Sequence, residues 1–245
     1  MYELIPVATA PELDEEAGKR FVEEWPEFIF HDPGVKVYRE RRRSYFLDWE
    51  FYLVSVEDRR LIGGCWGVPI AWDETVSDLP GGFTDALGRA VESREAGVVA
   101  DTFVLMAAAV RNDEQGKGHA GRVITAVKEQ AALAGLRRMI APVRPTLKAR
   151  YPLTDIAEFM TWTRADGLPL DPWLRTHVRL GARLLAPAPV SQTMIGTVEE
   201  WEKWTGLALP ASGTYVIPDG LTTLEIDREA DQGIYREPNI WLRHA

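Results

Sequence analysis

Apolar runs alternate with polar, glycine-bearing connections along this chain. Thr102 to Val110 is a nearly continuous apolar run, which predicts a buried strand. A polar loop follows, Arg111-Asn112-Asp113-Glu114-Gln115-Gly116-Lys117-Gly118-His119. In Ala120 to Ala134 the apolar residues Val123, Ile124, Val127, Ala131 and Ala134 recur at helical spacing, and Gly135 supplies a C-terminal cap. Upstream, Leu13, Ala17, Phe21 and Val22 recur at helical spacing among acids within Pro11 to Trp25. Phe51 to Val56 and Leu61 to Trp72 are β-rich and flank the turn Glu57-Asp58-Arg59-Arg60, so they predict a hairpin. Asp73 to Gly97 is polar, holds Pro80-Gly81-Gly82 and a helical piece around Phe83 to Glu92, and reads as an insertion or lid. Met139 to Val143 predicts a short strand, Pro145 to Pro172 is loop-rich, and Trp173 to Leu180 predicts a short helix closed by Gly181. From Arg183 onward the pattern predicts strand pieces split by Pro and Gly, with a small helix at Val198 to Trp204. Strands on both sides of a central helix predict a mixed α/β fold.

The 245 residues are 46% hydrophobic and 27% charged, which excludes a largely disordered chain. They suit one domain over 1–245, with an insertion at about 73–100 and a strand-rich extension at about 186–245. The net charge of −9 disfavours nucleic acid and anionic membranes as partners, since both repel an anion. Cys65 has no second cysteine to pair with, so a reducing cytoplasmic setting is expected. No apolar run reaches the roughly 20 residues that cross a bilayer. No metal-ligand spacing and no G-x-S-x-G motif occurs, so neither a metal centre nor a nucleophilic hydrolase is expected.

The strongest chemical signal is the strand, glycine loop and helix over 102–134. Backbone N–H groups of such a loop, backed by a helix N-terminus, can cradle a phosphate or pyrophosphate. Gly116-Lys117-Gly118-His119-Ala120-Gly121 also spells G-x-G-x-x-G, the dinucleotide fingerprint. Five residues separate Val110 from Gly116, however, and Met139 to Arg144 lacks the carboxylate expected for a ribose.

Ala108 to Ala120 resembles the signature of the GNAT acyltransferase superfamily, Q/R-x-x-G-x-G/A, through Gln115, Gly118 and Ala120. The order of elements before it agrees. The resemblance implies a mixed, mostly antiparallel central sheet with splayed central strands and flanking helices. It also implies a coenzyme A thioester as co-substrate. Its pyrophosphate would lie on Gln115, Gly116, Lys117, Gly118, His119 and Ala120, and its pantetheine arm near Ala108 and Val110. GNAT members commonly place a Tyr four residues before a Gly in the later helix. Here that position holds His177, before Gly181.

Arg144-Pro145-Thr146-Leu147-Lys148, Tyr151-Pro152-Leu153, Asp166 to Arg175 and Glu237-Pro238-Asn239-Ile240-Trp241 look like one branch of that superfamily. It comprises the GNAT-like domains of polyketide synthase loading modules and nitrilase-fused GNAT domains. The branch implies a Thr and a His as polar pair, matched here by Thr146 and His177. The superfamily signature at 115–120 and the order of elements imply acyl transfer to an amine of a small molecule, in secondary metabolism, whereas the branch implies malonyl-CoA-type decarboxylation or S-acyl transfer that loads an acyl carrier protein. A hydroxyl and an imidazolium aimed at the thioester oxygen serve both reactions. Trp66, Trp72 and Trp162 are candidates for an acceptor wall. Arg144 and Arg175 are candidates for gripping a carboxylate. The cluster at Arg39, Arg41, Arg42 and Arg43 is the candidate dock for a carrier protein, and Asp101 is a candidate general base.

Overall fold

The structure is a computed structural model and describes residues 1–22 and 25–244. Its strands are β1 (Tyr2–Pro6), β2 (Glu50–Ser55), β3 (Leu61–Ile70), β4 (Thr102–Val110), β5 (Arg138–Val143), β6 (Arg183–Gly196), β7 (Gly213–Val216), β8 (Thr223–Asp227) and β9 (Gln232–His244). The helices are α1 (Asp14–Val22), α2 (Pro33–Phe46), α3 (Phe83–Glu95), α4 (His119–Leu133), α5 (Ile156–Phe159), α6 (Pro172–Arg179) and α7 (Val198–Thr205). Among the described residues the strands join one sheet in the order β1-β2-β3-β4-β5-β9, with β8 and β7 continuing beyond β5 and β6 on the opposite edge of β9. Every pair is antiparallel except β4–β5.

The parallel pair creates the opening in the sheet. β4 and β5 pair only from Thr102–Val104 to Arg138–Ile140, whereas β3 follows β4 through to Val110. From Leu105 onward the β5-side backbone of β4 therefore has no partner in the sheet, and the central strands splay apart. Such an edge offers N–H and C=O groups to a ligand.

Both faces of the sheet are covered. Phe103 and Leu105 face α4, whose Val123, Ile124, Val127 and Ala131 form the stripe the sequence predicts. Val104 and Met106 face α3 through Ala86, Leu87, Ala90 and Val91. Each of these larger side chains is essentially fully buried and stabilises the fold by about 1.5–3 kcal/mol. The segment read as an insertion or lid therefore carries a helix that closes one core. Two aspartates start helices: Asp32 accepts from the amide of Gly34 at 2.7 Å, and Asp171 from those of Trp173 and Leu174 at 2.9 Å, each followed by Pro at the first helical position.

The predicted helix in Pro11 to Trp25 is present as α1 within the described residues, and residues 23–24 lie outside them. The arginine cluster lies on α2, which the pattern did not predict as a helix. There Arg41 pairs with Glu95 and Arg42 with Glu50. The C-terminal strand pieces join into two long strands. Pro187 and Pro189 are tolerated because β6 pairs only with β9, and Pro238 falls where the β6–β9 register breaks between Ala188 and Gln192.

Candidate active site

The splayed edge of β4 leads straight into the glycine loop. Gly116 and Gly118 adopt φ of +76° and +81°, left-handed values that favour glycine, and a Cβ at either would meet nothing within 4 Å. Conformation, not crowding, calls for glycine there in the free protein. Gly118 is the N-cap of α4, with no side-chain cap and no acid in the first turn. The first-turn amides thus lack intrahelical acceptors and face a positive helix end. Beside them a cleft of about 470 Å³ is lined by Lys117, Gly118, Gly121, Arg122, Thr125 and Leu180 among others. Two cations and a row of free amides at one mouth suit a diphosphate.

A buried carboxylate that the sequence reading missed holds the loop in place. Glu114 is 5% exposed and takes Arg60 at 2.7 Å and Lys117 at 3.0 Å, with His119 Nε2 at 3.3 Å. The Lys117 contact, and then that of Arg60, holds its pKa below the ordinary carboxylate value. Arg60 also binds Asp113 at 2.6 Å, and Arg111 binds Glu16 at 2.7 Å, so the loop is fastened to the β2–β3 turn and to α1. Arg60 stood in a predicted turn and Glu114 in a polar loop, where neither periodicity nor motif marks them. Gln115 donates to Asn112 Oδ1 at 3.0 Å and braces the loop from within.

The His119 ring is 3% exposed and lies edge-on to Tyr2 at 4.4 Å. Ala120 follows in the same first turn. Ala108 and Val110 lie on the half-buried, splayed part of β4.

At the candidate reacting end, His177 is 1% exposed on α6. Its Nδ1 lies 2.9 Å from Nε2 of His244, the last described residue of β9, and its Nε2 is buried without a hydrogen-bond partner. Burial, and then neighbouring His244, brings His177 down to about 3; burial, and then Lys128, brings His244 down to about 4. At neutral pH His177 is therefore a neutral imidazole, which corrects the expected imidazolium. Thr146 is exposed in the loop after β5, and no hydrogen bond joins it to His177 among the described residues. Asp171 draws the two segments together by accepting from the Leu147 amide at 2.6 Å while capping α6.

The remaining candidates have partners of their own. Arg144 binds Glu237, which is 0% exposed, and donates to the Asp219 carbonyl at 2.5 Å, so its charge is already committed within the protein. Tyr235 also donates to Glu237, and Lys148 donates to the Leu221 carbonyl at 2.6 Å. This cluster fixes the 217–222 segment above the end of β5. Arg175 donates to the Pro169 and Leu170 carbonyls, both at 2.9 Å, and secures the loop before α6. Trp66 sits beside the splay, opposite Ala107, with Arg42 over its ring at 4.5 Å and Phe83 edge-on at 5.7 Å. Trp162 packs on Tyr151 and Phe159. Trp72 is 2% exposed in the core. Asp101 binds Arg138 at 2.7 Å, at the closed end of the β4–β5 pair, away from the opening. Cys65 is buried, which pushes its thiol pKa up. Among the described residues no helix is long and apolar enough to cross a membrane.

No protein-family model matches the chain. An arginine N-acetyltransferase of Aspergillus versicolor, avaD, is 27% identical over 245 residues, spanning 90% of this chain and 84% of that protein. The loading GNATL domain of CurA from Lyngbya majuscula has a similar fold, with a TM-score of 0.57 at 16% identity, covering 100% of this chain and 97% of that one. The GphF GNAT-like decarboxylase, solved with isobutyryl-CoA, gives 0.51 at 14% identity, covering 100% and 98%. The splayed parallel pair, the uncapped glycine loop and a likeness spanning most of both chains agree: the protein has the GNAT fold and is similar to an N-acetyltransferase over 90% of its length.

Proposed function

We propose that this protein transfers an acyl group from an acyl-CoA, acetyl-CoA first among them, to an amine of a small molecule. The observation that carries the reading is the open β5-side edge of β4 running into the uncapped N-terminus of α4. The amides of Gly116 to Ala120 bind the diphosphate, with Lys117 and Arg122 supplying charge at the same cleft. The free backbone of β4 from Leu105 to Val110 pairs with the amides of the pantetheine arm, which aims the thioester into the splay. The acceptor nitrogen forms a bond to the thioester carbon. The C–S bond breaks, and the thiol leaves with the proton that the amine gives up. His177, neutral and with Nε2 unpaired, is the group suited to hydrogen-bond the carbonyl oxygen as charge builds on it.

The acceptor is a basic amino acid or a close analogue. Arginine is the substrate in the name of the fungal relative, and the net charge of −9 favours the approach of a cation. The test is incubation with acetyl-, succinyl- and malonyl-CoA, with and without arginine and related amines, read by mass spectrometry. Acylated amine formed only when both partners are present is the expected result. Conversion of malonyl-CoA to acetyl-CoA without an acceptor would replace the proposal with a decarboxylase. Acylation of a carrier protein in preference to amines would replace it with a loading enzyme.

A further inference from the structure

A second concave site lies between α2, α3 and β6, on the face of the sheet opposite α4. This groove holds about 670 Å³ and is lined by Gly34 and Tyr38 of α2, Asp85 and Glu92 of α3, and Gln192 and Thr193 of β6, among others. Its walls are tied together from within. Asp32 is 3% exposed and accepts from the Gly34 amide, from the Thr84 hydroxyl at 2.6 Å and from the Thr193 amide at 3.1 Å, so one buried carboxylate joins α2, α3 and β6. Ser191 Oγ accepts from the Phe83 amide at 2.8 Å and holds the start of α3 on β6.

The free charge of the groove has one sign. Asp85 accepts from the Gly81 amide at 2.8 Å and Glu92 from the Tyr38 hydroxyl at 2.7 Å, and among the described residues no cation pairs with either of them or with Asp32. Arg89 lines the groove too, but it is engaged by Asp78 at 2.9 Å. Arg41, over the Tyr38 ring at 5.1 Å, pairs with Glu95. Gln192 adds an observation independent of the acids. It is 8% exposed, lines the groove, and its side-chain amide makes no hydrogen bond among the described residues. It stands where β6 bulges against β9 between Ala188 and Gln192, and bulges re-aim side chains. Its register partner Glu237 shares a face of β9 with Trp241, which packs under α3, so Gln192 points to the groove side of the sheet. A buried amide without a protein partner costs free energy that a bound ligand can relieve. No three His, Cys, Asp or Glu side chains among the described residues are grouped to hold a metal ion, so spread acceptors call for a spread cation.

We propose that this groove binds an organic cation bearing N–H donors, a guanidinium or an alkylammonium, with Asp85 and Glu92 meeting its charge at the rim and the Gln192 carbonyl oxygen accepting from it at the floor. The cation is either part of the acceptor or a separate effector, and the chemistry of recognition is the same for both.

The probe is agmatine, which carries a guanidinium and an alkylammonium, titrated by calorimetry without CoA. We expect its Kd to rise about fivefold or more in the Asp85→Asn, Glu92→Gln double variant and about tenfold or more in Gln192→Leu. A Glu3→Gln, Glu57→Gln double variant removes the same charge at the far edge of the sheet and should change Kd by less than about twofold, since screening confines the effect of distant charges. Tetramethylammonium, which has no N–H, should bind more weakly than agmatine. No binding of agmatine, equal weakening in the two double variants, or an unchanged Kd in Gln192→Leu would overturn the proposal; the rim variant keeps it testable if Gln192→Leu does not fold. Steady-state acylation of arginine then identifies the source, and both of its outcomes support the site. Competition by agmatine, with KM for arginine raised in the rim variant, makes the cation part of the acceptor; an unchanged KM makes it a separate effector. The calorimetry needs no turnover, so its failure and the failure of the acyl-transfer reading are distinguishable.

Discussion

Replacing Gly118 by Val tests the phosphate cradle with a magnitude that the structure supplies. The residue is the N-cap of α4 at φ +81°, ψ 8°. A β-branched side chain in that left-handed region costs about 1–3 kcal/mol, although a Cβ there meets no atom within 4 Å. If the backbone keeps its conformation, stability falls, with Tm lower by about 2–12 °C at this chain length. If it flips to relieve the strain, the amides around Gly118 turn away from the cleft. Each hydrogen bond lost to a charged phosphate is worth about 1.5–3 kcal/mol, so losing one weakens CoA binding about 10- to 150-fold. In either backbone the valine side chain also projects into the space the diphosphate would fill. Gly97→Val is the control, because Gly97 has φ +70°, equally open surroundings, and a place in the turn after α3. Titration calorimetry with CoA and thermal melts of both variants should show similar Tm losses, with Kd raised at least tenfold only in Gly118→Val. An unchanged Kd in Gly118→Val, or equal weakening in both, would refute the reasoning.

Other predictions address the groups that hold the site. Glu114→Gln should destabilise the protein by about 1–3 kcal/mol at pH 7. Its folded pKa lies below the unfolded value of 4.5, so its contribution is present above that pH and is lost as pH falls through the folded value; the variant's melting should lack that part of the acid limb. His177 and His244, held at about 3 and about 4, bind protons in the unfolded state before the folded one. Stability should therefore fall as pH drops from about 6.5 towards 4, by up to about 1.4 kcal/mol per pH unit for each ring, and denaturant melts of the His177→Gln, His244→Gln double variant should show a flatter curve. Arg144→Met strands the Glu237 carboxylate in the core and should cost about 3–5 kcal/mol at pH 7. Burial already pushes the Glu237 pKa up, so urea melts should show the deficit shrinking as the pH is lowered and the carboxyl takes a proton.

The proposed path of the cofactor was more legible in the sequence than the proposed reacting end. β4 spans Thr102–Val110 as predicted, because a strand buried on both faces leaves an unbroken apolar run. α4 follows within a residue of its predicted limits, because its stripe of Val123, Ile124, Val127 and Ala131 repeats with the helix. α2 left little trace: it buries Phe46 fully and otherwise covers the core with tyrosine faces and arginine stems, which read as polar. β6 and β9 were broken in prediction by prolines that an edge strand and a register break absorb. The proposed reacting end and the segment beside it are held by pairs distant in sequence, His177 with His244 and Arg144 with Glu237, and no local pattern encodes such a pairing. Glu114 shows the same limit within a motif. The glycines announced the loop, but the carboxylate that holds it reads as one more polar residue until the fold buries it.

A crystal structure with CoA measures the central claim most directly. The account predicts the diphosphate oxygens within hydrogen-bond reach of the amides between Gly116 and Ala120, and the pantetheine arm paired to the free edge of β4 between Leu105 and Val110. Coenzyme A bound elsewhere on the protein, or a fully loaded crystal in which that edge stays bare, would contradict it.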